Sequence, residues 1–211
     1  LQASERGTRK YPREVLERKM ARLGSAIVAT PAIDWTMVGV RTTVTAFDST
    51  FAIFADRVMQ PRLDPGEVET VRATIISAVR QRGDDPEALL DSFSDSVAFA
   101  GHPYGTPALG SEASLSALTL ADLRAWHKTQ MVTSRMLLVV VGDIPRTRLE
   151  AMVRSSLATL PRGEYRWAPP LVPASRESAL HIIPRSLPTN YLQGYWVGPR
   201  ADSRDYHAMR I

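Results

Sequence analysis

Apolar positions change period along the chain, and each change marks a predicted element. Val15, Leu16, Met20 and Leu23 form a helical stripe over residues 11–23, with Pro12 in the first turn and Gly24 at the end. Residues 25–30 and 35–44 are rich in β-branched side chains and predict two antiparallel strands, with Pro31 at an edge or strand end. Phe51, Phe54, Ala55 and Val58 return to helical spacing over 49–59. Asp64 is the expected cap of a longer helix reaching Arg82, with Pro65 first and Glu67 and Glu69 in the turn where acids complement the helix dipole. Gly83-Asp-Asp-Pro86 breaks it, and Leu89, Leu90, Phe93, Val97 and Phe99 belong to a further helix.

The stretch from His102 to Ile144 organises the rest. His102-Pro-Tyr-Gly-Thr-Pro is turn-rich, and Gly110-Ser111-Glu112 is read as a loop. Thr119 and Asp122 stand in capping-box positions ahead of a short helix carrying Leu120, Leu123, Trp126 and His127. Met136-Leu-Leu-Val-Val-Val-Gly142-Asp143 is an unbroken apolar run, expected as a strand buried on both faces. Residues 146–160 predict a helix, Ala179–Pro184 and Tyr191–Val197 two strands, and Asp202–Ile211 a helix start. Residues 161–176 hold four prolines without periodicity, the pattern of an interdomain linker.

The wording of these segments resembles the pitrilysin/insulinase group of zinc peptidases, which includes the mitochondrial processing peptidase. The resemblance rests on His102-Pro-Tyr-Gly105, Leu109-Gly-Ser-Glu112, Ser116-Ala-Leu-Thr-Leu-Ala-Asp-Leu123 and Val139-Val-Val-Gly-Asp143, four motifs in family order. Leu187-Pro-Thr-Asn190 through Tyr206-His-Ala-Met209 resembles the opening of the family's second, homologous domain. The implied fold is α+β, a mostly antiparallel sheet with helices on one face, followed by the start of a second copy. Residues 1–160 are then a first domain lacking its N-terminal part, 161–176 the linker, and 177–211 the second domain's beginning. The chain is expected to start inside one structural element and to stop inside another.

The resemblance also says where a zinc site belongs. Family members hold zinc with His-x-x-Glu-His on a helix plus a distal glutamate; the motif's glutamate is the general base. Counting back from Gly7-Thr8, the second histidine falls on Gln2 and the general base on Leu1. With Asp84-Asp-Pro86 as anchor, the distal ligand falls on Ala78 and its partner glutamate on Val71, within an apolar stripe with Ile75. An amide is a poor zinc ligand and a methyl group is none. No catalytic and no metal residue is therefore expected in this chain, and zinc belongs to an active partner or homologous half. His102 is read as a turn residue and His127 as a helix-surface residue; none of the four histidines pair at helical spacing.

Active relatives add an extended peptide to an edge strand beside the zinc. That strand corresponds to Leu23-Gly-Ser-Ala-Ile-Val-Ala-Thr30, so Val28, Ala29 and Thr30 are the expected peptide-binding residues. A strand that only completes the sheet is the alternative reading.

Composition narrows the remaining choices. Hydrophobic residues make up 44% and charged residues 23% of 211, ordinary for a globular protein. There is no cysteine, which excludes disulfides, thiol catalysis and Cys-based zinc sites. Net charge is +4. The basic residues are scattered, without the runs or interleaved aromatics of a nucleic-acid binder. No apolar run is long enough to span a bilayer. There is no Gly-x-Ser-x-Gly elbow, and Glu112 with Asp143 is read as a structural pair.

The expected role is a non-catalytic subunit or half of such a peptidase, forming chamber wall and contacting peptide beside a homologous catalytic subunit. Two alternatives stand: an active zinc endopeptidase with its motif upstream of Leu1, and a structural scaffold of a larger complex. The sequence leaves the compartment open between bacterial periplasm and cytoplasm.

Overall fold

Phe47, Phe51, Phe54 and Val58 repeat at helical spacing, and the hydrophobic centre of the molecule forms where that stripe is covered. The computed structural model describes residues 1–168, 178–196 and 198–209. Its helices are α1 (Arg13–Arg22), α2 (Phe47–Met59), α3 (Pro65–Asp84), α4 (Pro86–Ala98), α5 (Glu112–Ala117), α6 (Leu120–Gln130), α7 (Arg146–Leu157) and α8 (Tyr206–Met209). Two strands, β1 (Ala26–Pro31) and β2 (Thr36–Arg41), form an antiparallel hairpin. The α+β class expected from the sequence holds.

The chain divides into two compact units, one of residues 1–77 with 112–168, the other of 78–111 with 169–211. In the first, Phe47, Phe51 and Phe54 are buried, and Ile27, Val38 and Val40 from the hairpin pack on them. Ile144, Leu149, Met152, Val153 and Leu157 cover the core from the side of α7. The hairpin's register explains the pattern. Ile27 faces Val40 and Ala29 faces Val38 on one side of the ladder, while Val28 stands opposite Gly39 and is half exposed. Burying an aromatic side chain of this kind contributes about 3 kcal/mol each.

Polar groups lock the same core. The Ser25, Thr42 and Thr50 hydroxyls meet at 2.7–3.1 Å, with Thr50 fully buried, so the hairpin's base is bonded to α2. Arg57 is buried and donates to Glu5 at 2.9 Å. Asp56, also buried, lies 3.7 Å from the Lys10 ammonium. His127 was expected on a helix surface; instead it is half-buried. Its Nε2 donates to the Val58 carbonyl at 2.8 Å, satisfying an orphan carbonyl in the last turn of α2.

Other expectations are corrected. Met136–Val141 is not a strand: it has no ladder partner among the described residues, and Leu137 and Val141 are 88% and 94% exposed. A strand buried on both faces needs neighbours on both edges, and here composition alone cannot supply them. Ala179–Pro184 and Tyr191–Trp196 likewise form no ladder, while Val197 lies outside the described residues. The C-terminal helix is confined to Tyr206–Met209 among the residues described, with Arg210 and Ile211 outside them. Glu112, read as loop, is the first residue of α5. Gly83 stays helical, and the break falls after Asp84, where Asp85 caps α4 by accepting from the Glu87 and Ala88 amides.

Half of the proposed linker, 169–176, lies outside the described residues. Its first residues are tied down: the Thr133 and Ser134 amides donate to the Pro161 and Arg162 carbonyls at 2.9 and 2.8 Å, and Arg135 stacks 3.8 Å over the Tyr165 ring. Gly163, at φ 68°, lies so close to Val132 that a Cβ there would clash.

Candidate functional site

β1 is short and presents one of its two edges to β2. The hydrogen-bonding groups of its other edge have no ladder partner among the described residues. Val28, Ala29 and Thr30 lie in the middle of that edge. Thr30 is exposed, Val28 is 52% exposed, and Ala29 is turned partly inward. Pro31 ends the strand opposite Thr36; it lacks a donor but still occupies a register position. An edge of this kind can accept an extended segment through backbone groups alone, with alternate side chains giving selectivity.

The register positions for zinc lie elsewhere. Leu1 precedes a 3₁₀ turn, Gln2–Arg6, and Gln2 opens it. Val71 is buried on α3, while Ala78 is exposed on the same helix. Among the described residues no three of His, Asp and Glu gather as a metal would need. In the register that the resemblance implies, the two visible ligand positions hold an amide, Gln2, and a methyl group, Ala78, and neither suits a zinc ion.

His102 opens a 3₁₀ turn, Pro103–Gly105, and its Nδ1 accepts from the Tyr104 amide at 3.2 Å. The proton therefore sits on Nε2, which is buried without a hydrogen-bond acceptor among the described residues. Rings crowd around it: Tyr104 packs edge-on at 4.6 Å between centroids and Phe99 lies at 6.1 Å. In the same unit the Tyr195 hydroxyl donates to Asp95 at 2.6 Å. That bond to the carboxylate, with partial desolvation, pushes the Tyr195 pKa up to about 12. This pair joins residues a hundred positions apart, and nothing in the local pattern pointed to it.

A second open feature lies in the first unit. Thr8 and Pro61 form a bridge, the Arg9 amide donates to the Gln60 carbonyl at 2.9 Å, and the Arg62 amide to the Gly7 carbonyl at 3.1 Å. These bonds close one wall of a cleft of about 500 Å³ lined by Arg9, Arg62, Leu63, Asp64 and Arg124. The scattered arginines of the sequence thus include three brought together by folding.

Comparison with known proteins finds two family models that match the chain. The family model described as insulinase (peptidase family M16) matches residues 3–112, and that described as the peptidase M16 inactive domain matches 117–211. A protein of Mycobacterium tuberculosis named an uncharacterized zinc protease is 34% identical over 119 residues, 56% of this chain and 27% of that one. The mitochondrial-processing peptidase subunit beta of Blastocladiella emersonii is 24% identical over 159 residues, 75% of this chain and 34% of that one. The chain spans about a quarter of the length of the mycobacterial relatives. Among solved structures, a peptidase M16 inactive domain from Pseudomonas fluorescens has the same fold with a TM-score of 0.74 at 19% identity, covering 80% of this chain and 42% of that one. The periplasmic protease PqqL from Escherichia coli matches with a TM-score of 0.68 at 20% identity, over 81% of this chain and 20% of that one.

Proposed function

The chain belongs to the insulinase family of M16 peptidases, and from that premise we propose that it serves as a non-catalytic half, forming wall and holding peptide beside a homologous catalytic half. The observation that carries this reading is the open edge of β1 in a chain whose family ligand positions hold Gln2 and Ala78. A substrate segment adds to Val28, Ala29 and Thr30 as a further strand, and its backbone supplies the contacts. Zinc and the general base come from the partner half. The partner is a soluble zinc peptidase of the same family.

Residues 1–160 belong to the first family domain and 177–211 to the start of the second, joined by 161–176. This division concerns homology and is distinct from the two compact units. Limited proteolysis tests it: the first cuts fall between Arg166 and Arg176, and early cutting inside 25–44 refutes it.

A second reading is favoured by the name of the mycobacterial relatives, zinc protease: an active endopeptidase whose motif precedes Leu1. The sequence upstream of Leu1 decides between the two. A His-x-x-Glu-His there revives catalysis.

Anisotropy of a fluorescent, uncharged decapeptide of high β propensity tests the edge directly. The chain is expected to bind it, and Ala29→Pro, which removes a ladder donor at mid-strand, to weaken binding at least tenfold with helix content unchanged. Equal binding by the variant removes the edge from the account.

A further inference from the structure

The cleft beside Pro61 has no part in the family register or in the β1 edge. Its walls come from three places in the chain: the segment after Gly7, the connection between α2 and α3, and α6. Arg9, Arg62 and Arg124 line it, against one carboxylate, Asp64. Asp64 is already engaged. One oxygen accepts from the Gly66 amide at 3.0 Å, and the other lies 3.8 Å from the Arg62 guanidinium. Arg9 and Arg124 have no ion-pair partner among the described residues, in a protein where Arg6, Arg13, Arg18, Arg57, Arg72, Arg146, Arg148 and Arg200 all do. Two arginines without an ion-pair partner among the described residues, both on the lining of one concave site, give it a local positive field. The twenty-residue α3 begins at Pro65, on the lining of the cleft, and the positive end of its dipole has the same sign.

The cleft is held rather than improvised. The backbone bonds from Arg9 and Arg62 fix both arginines at their base. Leu63 between them is buried at φ 46°, a left-handed conformation costly for a leucine, so surrounding structure sets the path of the connection. The guanidinium fork suits planar, two-oxygen anions, and the volume of about 500 Å³ admits a peptide's acidic side chains.

We propose that the cleft between Arg9, Arg62 and Arg124 is an oxyanion site that receives the carboxylates of an acidic peptide segment. This names the class of peptide and rests on the peptide-holding role above. The chain then prefers segments carrying Asp or Glu, and its scattered positive charge acquires one focal point.

Two labelled decapeptides separate this inference from the reading beneath it: an alternating Glu/Val sequence and its Gln/Val counterpart, measured by anisotropy with the full chain. The acidic peptide is expected to bind at least tenfold tighter than the Gln peptide at low salt, and the gap to shrink at high ionic strength. The double variant Arg9→Gln, Arg124→Gln is expected to erase the gap and leave binding of the Gln peptide unchanged. A second double variant at exposed positions outside the cleft, Arg22→Gln with Arg166→Gln, controls for net charge and is expected to keep it. Inorganic phosphate is expected to compete only at concentrations well above the peptide's. Equal binding of both peptides, or a gap that survives the double variant, overturns the cleft and leaves the edge standing. Failure of both peptides to bind overturns both. Displacement by phosphate at concentrations below the peptide's assigns the site to free phosphate and overturns the peptide assignment.

Discussion

Two apolar, β-branched stretches of the first unit meet different fates. Ala26–Pro31 is paired residue by residue with Thr36–Arg41, and its inner face packs on Phe47, Phe51 and Phe54. Met136–Val141 is the more apolar of the two, yet it is largely exposed and has no ladder partner among the described residues. The difference is sequence distance to a partner. The hairpin closes over four residues, Ala32–Trp35, with the Ala32 amide donating to the Trp35 carbonyl at 2.8 Å, so loop closure costs little. Met136–Val141 has no such neighbour. Side-chain composition selects an extended backbone, but a strand exists only where another backbone accepts its bonds.

The largest test strikes the paired stretch through its support. Phe51→Ala is expected to cost about 3–5 kcal/mol in urea unfolding, from lost burial and the cavity left behind. Hydrogen exchange should then show β1 and β2 amides losing protection, while Met136–Val141 exchanges fast in both proteins. Protection of the hairpin in the variant would show that it does not depend on the phenylalanine core.

Next comes the hydroxyl cluster at the hairpin's base. Thr50→Val keeps the shape but leaves Ser25 and Thr42 with one partner fewer, at a cost of about 1–3 kcal/mol. Thr50→Ser should recover most of it. A neutral Thr50→Val would mean the cluster only fills space.

The comparison extends to the second unit, where Tyr191–Trp196 has no ladder among the described residues and is tied through the Tyr195 side chain to Asp95. Tyr195 has its folded pKa raised from 10.0 to about 12 by the bond to Asp95. A group raised on folding contributes stability that is fully present below pH 10 and lost as pH rises through about 12. Absorbance at 295 nm should show one tyrosine titrating late, and Asp95→Ala should bring it back toward 10. Six ordinary titrations in the parent chain would show that this bond does not form.

The smallest effect belongs to the unpaired stretch. Val141→Asp, at a residue 94% exposed, should change stability by less than about 0.5 kcal/mol. Ile27→Asp, on the inner face of β1, should cost several times more. A large loss at Val141 would mean that Met136–Val141 is covered in solution.

The sequence was legible where a bond is local. The helical stripe of α2 and the capping box of α6 both read correctly. In the last, the Asp122 amide donates to the Thr119 hydroxyl at 3.1 Å and the Thr119 amide to the Asp122 carboxylate at 2.8 Å. The hydrogen bonds donated by the Thr119 side chain and backbone also hold the Asp122 carboxyl below its usual range. It was misread where the deciding partner is distant. His127 finds the Val58 carbonyl sixty-nine residues away, and Tyr195 finds Asp95. The same holds for the candidate sites. The β1 edge follows from a short pattern, but the cleft of Arg9, Arg62 and Arg124 needs three separated segments to meet, and one-dimensional spacing shows only scattered arginines.

The non-catalytic role rests most heavily on the residues in the family's metal positions, Gln2 and Ala78, with Leu1 where the general base belongs. Elemental analysis of the chain, stripped of metal by dialysis and reloaded with zinc, tests this directly. A catalytic zinc site needs about three protein ligands and one open position, and these side chains supply none. The account predicts far less than one zinc per chain, unchanged when any of His102, His127, His181 or His207 is replaced by alanine. Near-stoichiometric zinc that disappears with one of those histidines would contradict it.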